Sequence, residues 1–325
     1  MQTSAFRRQF STEIHRRQHK LEVLLKTMGY IERGGVFRHP SRQAIFVGDF
    51  IDRGPRQLRA VDIARRMADA GAARAVMGNH ELNAIAWHTP DGRGDYLRPH
   101  FSDKWGSKNY HQHVAFLREV DQRPRLHREI IDWFMTLPLW LELDGIRVVH
   151  ACWHGRFMEA LKPLLTDAMQ LKDGLLADAT TEPADAKEKD TADFSIFKAV
   201  EALTKGIEIP LPAGHSFKDK DDHQRYRVRV RWWAHEAIDY RSAAMLDDEA
   251  RQQLPAEFIP AHARIEPNTD KPVFFGHYWL TGDPCVLSDE AVCVDYSAGK
   301  GGPLVAYRWA GESVLTDRHF VRTGG

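Results

Sequence analysis

The sequence predicts an α/β (α+β) fold in four layers, α-β-β-α. Two observations carry this. A strand–helix–strand unit lies early, with apolar runs at Ala44-Ile45-Phe46-Val47 and Ala75-Val76-Met77 on either side of a helical stretch over Leu58–Ala70. Four strand candidates lie late, at Pro272–Phe275, Ala291–Tyr296, Pro303–Trp309 and Ser313–Leu315, separated by turns that contain glycine. Amphipathic helices and half-buried strands in that order bury their apolar faces best as stacked layers.

Taken in order, Lys20–Gly29 is predicted helical. Leu21, Leu24, Leu25 and Met28 recur on one face, and Gly29 is the stop signal. Gly34-Gly35 and Pro40 mark a loop before the first apolar run. In Leu58–Ala70 the apolar face is Leu58, Val61, Ala64 and Ala68, with Gly71 beyond it. Two apolar runs joined by one short helix predict parallel neighbours. Asn83–Trp105 is rich in His, Pro, Gly and aromatic residues and reads as an active-site loop. A short helix over Ile130–Leu137 precedes a strand at Ile146–Val149. From Met158 the composition turns helical and then polar, and Ala177–Asp193 reads as a surface excursion. Tyr226–Trp233 alternates Arg with Val and reads as a half-exposed strand.

Composition narrows the function. The 45 basic and 45 acidic residues cancel, which disfavours a dedicated nucleic-acid binder while leaving room for a locally positive cleft. The three cysteines, Cys152, Cys285 and Cys293, form no CxxC pair, so a reducing cytoplasm is the expected setting. The most apolar stretch, Phe134–Leu143, is short and interrupted by Pro138, so no membrane association is expected. Met1–Thr12 lacks the apolar core of a secretory signal; its Arg-containing, acid-free composition is the weaker case for a transit peptide.

The chemistry lies where the two early runs end. The first runs into Gly48-Asp49-Phe50-Ile51-Asp52-Arg53-Gly54 and the second into Gly78-Asn79-His80-Glu81. Asp49, Asp52, Arg53, Asn79 and His80 are thereby expected at one sheet edge. Carboxylate, amide oxygen and imidazole together suit Mn, Fe or Zn better than Ca. The Arg53 guanidinium can hold a phosphate through two parallel hydrogen bonds. Asp-x-x-Asp-Arg-Gly alone would also suit a plain turn; Gly-Asn-His-Glu downstream argues for a site.

These stretches resemble the calcineurin-like metallophosphoesterases, in the bacterial branch akin to serine/threonine protein phosphatases and symmetrical dinucleoside tetraphosphatases. The family pattern runs GDxHG, GDxxDRG, GNHE, a His after a strand, and a late GH. The second and third are complete here, and Val148-Val149-His150-Ala151 and Gly276-His277-Tyr278-Trp279 supply the two later histidines. The opening element departs from the pattern: Thr12-Glu13-Ile14-His15-Arg16 has Glu for Asp and Arg for the second Gly.

The resemblance implies a single domain over residues 1–325 with a variable insert at about 158–264, and two mixed sheets packed face to face. It implies two divalent transition metals, manganese first and iron or zinc as alternatives. Asp49 would bridge them; Asn79, His150 and His277 would complete one site, and Glu13 and His15 would serve the other. A metal-activated hydroxide would attack phosphorus while Arg53 steadies the phosphoryl oxygens. His80 would protonate the leaving oxygen, oriented by Asp52. Arg229 and Arg231 read either as a solvated strand face or as a second cationic clamp. His88, His100, His111 and His113 read either as loop surface or as substrate contacts; Arg231 and His88 are the substrate candidates beside Arg53. The expected function is hydrolysis of a phosphomonoester or phosphoanhydride, in a phosphorylated small molecule or a phosphoprotein. The alternative is a catalytically impaired relative that binds a phosphorylated ligand or partner, because of Glu13 and Arg16.

Overall fold

The computed structural model describes residues 19–218, 223–266, 270–312 and 314–324. Helix α1 (Lys20–Thr27) leads into an antiparallel ribbon, β1 (Ile31–Arg33) and β2 (Val36–Arg38). Strand β3 (Ala44–Phe46) then pairs in parallel with β4 (Ala73–Ala75) across helix α2 (Gln57–Asp69). Leu21 and Leu25 of α1 and Ile63 and Met67 of α2 share one apolar cluster with Phe37 and Ala73, so both helices cover the outer face of this pair.

Helices α3 (Asn79–His88), α4 (Gly106–Val120) and α5 (Pro124–Met135) follow. A four-stranded mixed sheet comes next, in spatial order β12 (Ala291–Cys293), β11 (Val273–Phe275), β6 (Ile146–Val149), β5 (Trp140–Leu143). β5 and β6 are antiparallel, while β6, β11 and β12 run parallel. The alternation of side chains along each strand builds the layers. Val148, Phe274 and Val292 point one way, into a cluster with Val76 and with partly buried Ile45 and Val47. Their neighbours Val149, Phe275 and Cys293 point the other way, into the largest cluster of the protein. A sheet buried on both faces reads as unbroken apolar runs, which is how β11 and β12 read in the sequence; β5 and β6 each carry one charged residue, Glu142 and Arg147.

The segment between β6 and β11 supplies that second cover. It contains α6 (Gly155–Leu161), α7 (Leu176–Thr180), α8 (Ile196–Lys205) and the short strands β7 (Glu208–Pro210), β8 (Phe217–Lys218), β9 (Gln224–Arg225) and β10 (Arg227–Arg229). Leu203 of α8 and the pair Trp232 and Trp233 are buried against Phe275. At the C-terminal end β13 (Val305–Tyr307) pairs antiparallel with β14 (Phe320–Arg322). Among the described residues no helix is long and apolar enough to cross a membrane.

The α/β layering agrees with the expectation, and four boundaries differ. The second apolar run is a strand only over Ala73–Ala75; the chain leaves it before Gly78. The expected active-site loop starts at Thr89, because Leu82, Ala84, Ile85 and Ala86 are buried all round a core helix. Tyr226–Trp233 is a strand for three residues only, since both tryptophans turn into the core. Val314 and Leu315 form no strand: the Glu312 carboxylate accepts from the Ala310 N–H and holds a turn, so the returning strand begins at Phe320.

The ends of β3 and β4 approach so closely that no side chain fits between them. A Cβ on Gly48 would lie 2.6 Å from the Gly78 nitrogen and 2.9 Å from His150 Nδ1, and Gly48 has φ +92°. Replacing Gly48 by Ala is expected to lower stability by about 3 kcal/mol, from backbone strain plus overpacking. Denaturant unfolding at unchanged slope measures this; a midpoint equal to the parent's would show that the two loops can separate freely.

Candidate metal centre

Four strands deliver the site from their carboxyl ends, where ligands bind in open α/β sheets. Asp49 follows β3, Asn79 opens α3 after β4, His150 follows β6 and His277 follows β11. The loops are held by Glu81, which is fully buried. Its Oε2 accepts from the backbone N–H groups of Asp49 (2.8 Å) and Gly78 (3.0 Å), and its Oε1 from that of Phe50 (2.7 Å). One carboxylate thus satisfies donors from both motif loops and caps α3.

Around this staple four N and O atoms converge. His150 Nε2 lies 3.3 Å from Asp49 Oδ1 and 3.2 Å from Asn79 Oδ1. His277 Nδ1 lies 2.9 Å from the same Asn79 oxygen. Asp49, His150 and His277 each offer a ligand atom within 4.8 Å of the others. His150 Nδ1 is 2.5 Å from the Val47 carbonyl and donates to it, which fixes the ring and aims Nε2 at the cluster. His277 Nε2 is buried with no partner among the described residues. Two buried imidazoles converging with one amide oxygen and one partly exposed carboxylate fit a borderline divalent cation.

Beside this cluster, His80 Nδ1 lies 2.7 Å from Asp52 Oδ2, and its Nε2 lies 4.0 Å from Asp49 Oδ2. The other Asp52 oxygen, Oδ1, is 2.7 Å from His113 Nδ1 on α4. The Asp52 N–H donates to Gln57 Oε1 (2.6 Å). Asp49, Asp52 and His277 all have left-handed backbone, at φ 60°, 70° and 70°.

The charges follow from burial and proximity. Burial opposes charge on Asp49, but His150 and His80 beside it hold its carboxyl well below the usual range. Burial would lower His150; the Asp49 carboxylate overrides that and pushes it up to about 9. His277 is driven well below its ordinary value by burial and then by the charge of Arg229. Burial would lower His80 too, yet the carboxylates of Asp49 and Asp52 raise it. Burial and then the Asp49 charge push Glu81 up to about 7, against the backbone N–H groups that favour its ionised form.

The structure brings Asp49, Asp52, Asn79, His80, His150 and His277 together. Arg53 lines the same cavity as Asp49, His150 and His277, its guanidinium 5.0 Å from the Trp279 ring centre, with Lys300 Nζ 4.8 Å from the same ring. Glu13 and His15 lie outside the described residues. Arg231 is not brought to the cluster: its guanidinium donates to the Ser242 carbonyl, and Arg229, two residues earlier on β10, is the arginine whose charge reaches His277. His88 is also absent, because it ends α3, roughly 12 Å along the helix from His80, and packs on His127. His100 is stacked between Trp87 and Tyr96, and His111 bonds the Ser107 carbonyl. Glu81 is a residue that the motifs give no role of its own, and His113, expected as loop surface or substrate contact, is instead buried on α4 against Asp52. Glu81 carried a signal, the spacing of a capping box behind Gly78; His113 carried only its helical spacing from Phe116 and Val120.

The sequence profile of the calcineurin-like phosphoesterases matches residues 12–239, more than two thirds of the chain. The chain belongs to the calcineurin-like phosphoesterase family. Among curated relatives, a symmetrical bis(5'-nucleosyl)-tetraphosphatase of Janthinobacterium sp. (strain Marseille) is 35% identical over 112 residues, 34% of either chain. The asymmetrical bis(5'-nucleosyl)-tetraphosphatase PrpE of Oceanobacillus iheyensis is 33% identical over 140 residues, 43% of this chain and 52% of the relative. The matched stretches thus span between a third and about half of these relatives. Among solved structures, the cold-active protein-tyrosine phosphatase of a Shewanella species is 16% identical with a TM-score of 0.43, over 87% of this chain and 69% of its own.

The histidine charges give a test of the cluster. His277 is already neutral and Asp49 already ionised, whereas His150 keeps its proton up to about pH 9. That raised value stabilises the metal-free fold fully below the ordinary imidazole pKa and is lost as pH rises through 9. A cation held by His150 Nε2 would need that nitrogen bare and would have to displace the proton. Manganese affinity is therefore expected to rise with pH up to about 9, with about one proton released per ion near pH 7.5. Calorimetry in two buffers of different ionisation enthalpy reads the release; a value of zero would remove His150 from the ligand set.

Proposed function

We propose that the chain hydrolyses phosphoric esters or phosphoanhydrides with divalent transition metals, manganese before iron or zinc. The observation that carries this is the convergent set Asp49, Asn79, His150 and His277 beside a histidine held by its own carboxylate. Divalent cations there supply Lewis acidity and an activated water. Asn79, His150 and His277 would hold one ion with Asp49. Asp49 would be shared with a second, for which Glu13 and His15 are the candidates.

The side chains divide the remaining work. His80 presents Nδ1 to Asp52, which leaves Nε2 to give its proton to the departing oxygen. The Asp52 carboxylate favours the charged imidazole that this needs. Arg53 would grip the phosphoryl oxygens, and Arg229 is close enough for its charge to act on His277. Arg53 and Lys300 on one indole set two cations together, which suits a substrate with more than one phosphate. The tetraphosphatase relatives are named for symmetrical and for asymmetrical enzymes, so dinucleoside polyphosphates are the first substrates to try, with phosphoproteins as the second class. We place substrate choice in the loop at residues 89–105 and the insert at about 158–264, within one domain over residues 1–325. Three unpaired cysteines suit a cytoplasmic enzyme.

The test is turnover of p-nitrophenyl phosphate and of diadenosine tetraphosphate by manganese-loaded protein. Asp49→Asn is expected to lose more than roughly a hundredfold in rate with its thermal midpoint kept. Near-parent activity in that variant would place the site elsewhere.

A second reading keeps the fold and drops the turnover, and the observation behind it is Glu13 with Arg16 where the family has Asp and Gly. A carboxylate displaced by about 1 Å can cost two orders of magnitude in rate. The double reversion Glu13→Asp with Arg16→Gly is expected to raise both metal stoichiometry and turnover. A parent that already binds two equivalents tightly, and gains nothing on reversion, would make Glu13 a competent ligand.

A further inference from the structure

The Asp52 carboxylate carries two imidazoles, and only one of them comes from the motifs. His80 Nδ1 is 2.7 Å from Oδ2, and His113 Nδ1 is 2.7 Å from Oδ1. An ionised carboxylate only accepts, so both rings must present Nδ1–H to it. His113 is 1% exposed. Its ring is walled by Trp87 at 5.6 Å and Phe116 at 5.2 Å, and its Nε2 is buried with no partner among the described residues. A core position that needed only bulk would hold a leucine or phenylalanine and leave no polar atom unpartnered, a defect that costs about 1–3 kcal/mol.

We propose that His113 is a positioning residue for His80, acting through Asp52. Three groups fix Asp52. Gln57 Oε1 takes its N–H, His113 takes Oδ1, and Oδ2 remains for His80. With Oδ1 occupied, the carboxylate cannot rotate to offer His80 the wrong lone pair or draw in water. His80 is thereby held with Nε2 toward Asp49. α4 touches Asp52 directly through this hydrogen bond, and its Glu119 carboxylate also accepts from the Gln57 N–H (2.9 Å), the residue whose Oε1 holds the Asp52 N–H. The neighbouring Gln112 Oε1 accepts from Arg98 (2.6 Å), which ties the loop before α4 to the same turn.

The inference rests on the reading of His80 as the acid for the leaving group, and the experiment separates the two. Rates are measured with manganese on phenyl phosphate, a poor leaving group, for the parent, His113→Leu, His113→Asn, His80→Ala and the double variant His80→Ala/His113→Leu. His113→Leu is expected to lower kcat about tenfold with KM little changed. His113→Asn, whose amide N–H can take the place of Nδ1–H, is expected to recover most of it. In the His80→Ala background the His113→Leu loss should shrink to less than about twofold, the non-additivity of residues that act in series. Equal losses in both backgrounds, or no recovery by asparagine, would reduce His113 to a packing residue.

A second readout needs no turnover. In 15N-histidine-labelled protein the His80 Nδ1–H signal is expected to resist exchange with solvent in the parent and His113→Asn, and to lose that protection in His113→Leu. Protection unchanged in His113→Leu would overturn the proposal even in a protein that hydrolyses nothing. A parent inactive on every ester, with this pattern intact, would instead defeat the functional reading and leave the positioning role standing.

Discussion

The site depends on one buried carboxylate. Glu81 accepts three backbone N–H groups from two loops that are far apart in the sequence. Each donor left unsatisfied in that place would cost about 1–3 kcal/mol. The staple therefore fixes the end of β3 against the start of α3 before any ligand arrives. Asp49, Asn79 and His80 inherit their relative positions from it, and Gly48 and Gly78 are the two residues that allow the approach. His150 and His277 enter from the other sheet, whose strand ends are aligned by the ladder between β6 and β11 and by the Gly276 N–H donating to the His150 carbonyl (2.8 Å).

The two layers also separate the roles of the histidines. His150 and His277 come from the four-stranded sheet and face Asn79. His80 and His113 come from helices and face Asp52. Two carboxylates of the same loop, Asp49 and Asp52, thus organise two different groups of imidazoles. The chain as a whole is electrically neutral, yet Arg53 and Lys300 share the Trp279 ring and the charge of Arg229 reaches His277. Local placement, rather than composition, decides which charges the cluster feels.

Part of this was legible in the sequence for a physical reason: the two early apolar runs are strands, and Asp49 and Asn79 follow them closely enough to be placed at one sheet edge. His150 and His277 follow apolar strands too, but a strand-end histidine alone reads equally as core, and only the family resemblance pointed to them as candidate ligands. The helix beginning at Asn79 was missed because its buried all-round face lacks the amphipathic rhythm that marks a surface helix. Arg229 and Arg231 occupy equivalent places in an alternating pattern, and only the turn that buries Trp232 and Trp233 separates the one near His277 from the one bound to the Ser242 carbonyl. His113 was illegible because its partner, Asp52, is 61 residues away and its own helix shows no motif. Side-chain hydrogen bonds across such distances leave no periodic trace.

The left-handed backbone at Asp49, Asp52 and His277 puts chemistry in opposition to robustness. Glycine would relax each of these positions, and each would then lose the group that the site needs. A search for stabilising substitutions would therefore turn up glycine at these three positions, and each such gain in the fold would be taken out of the cluster.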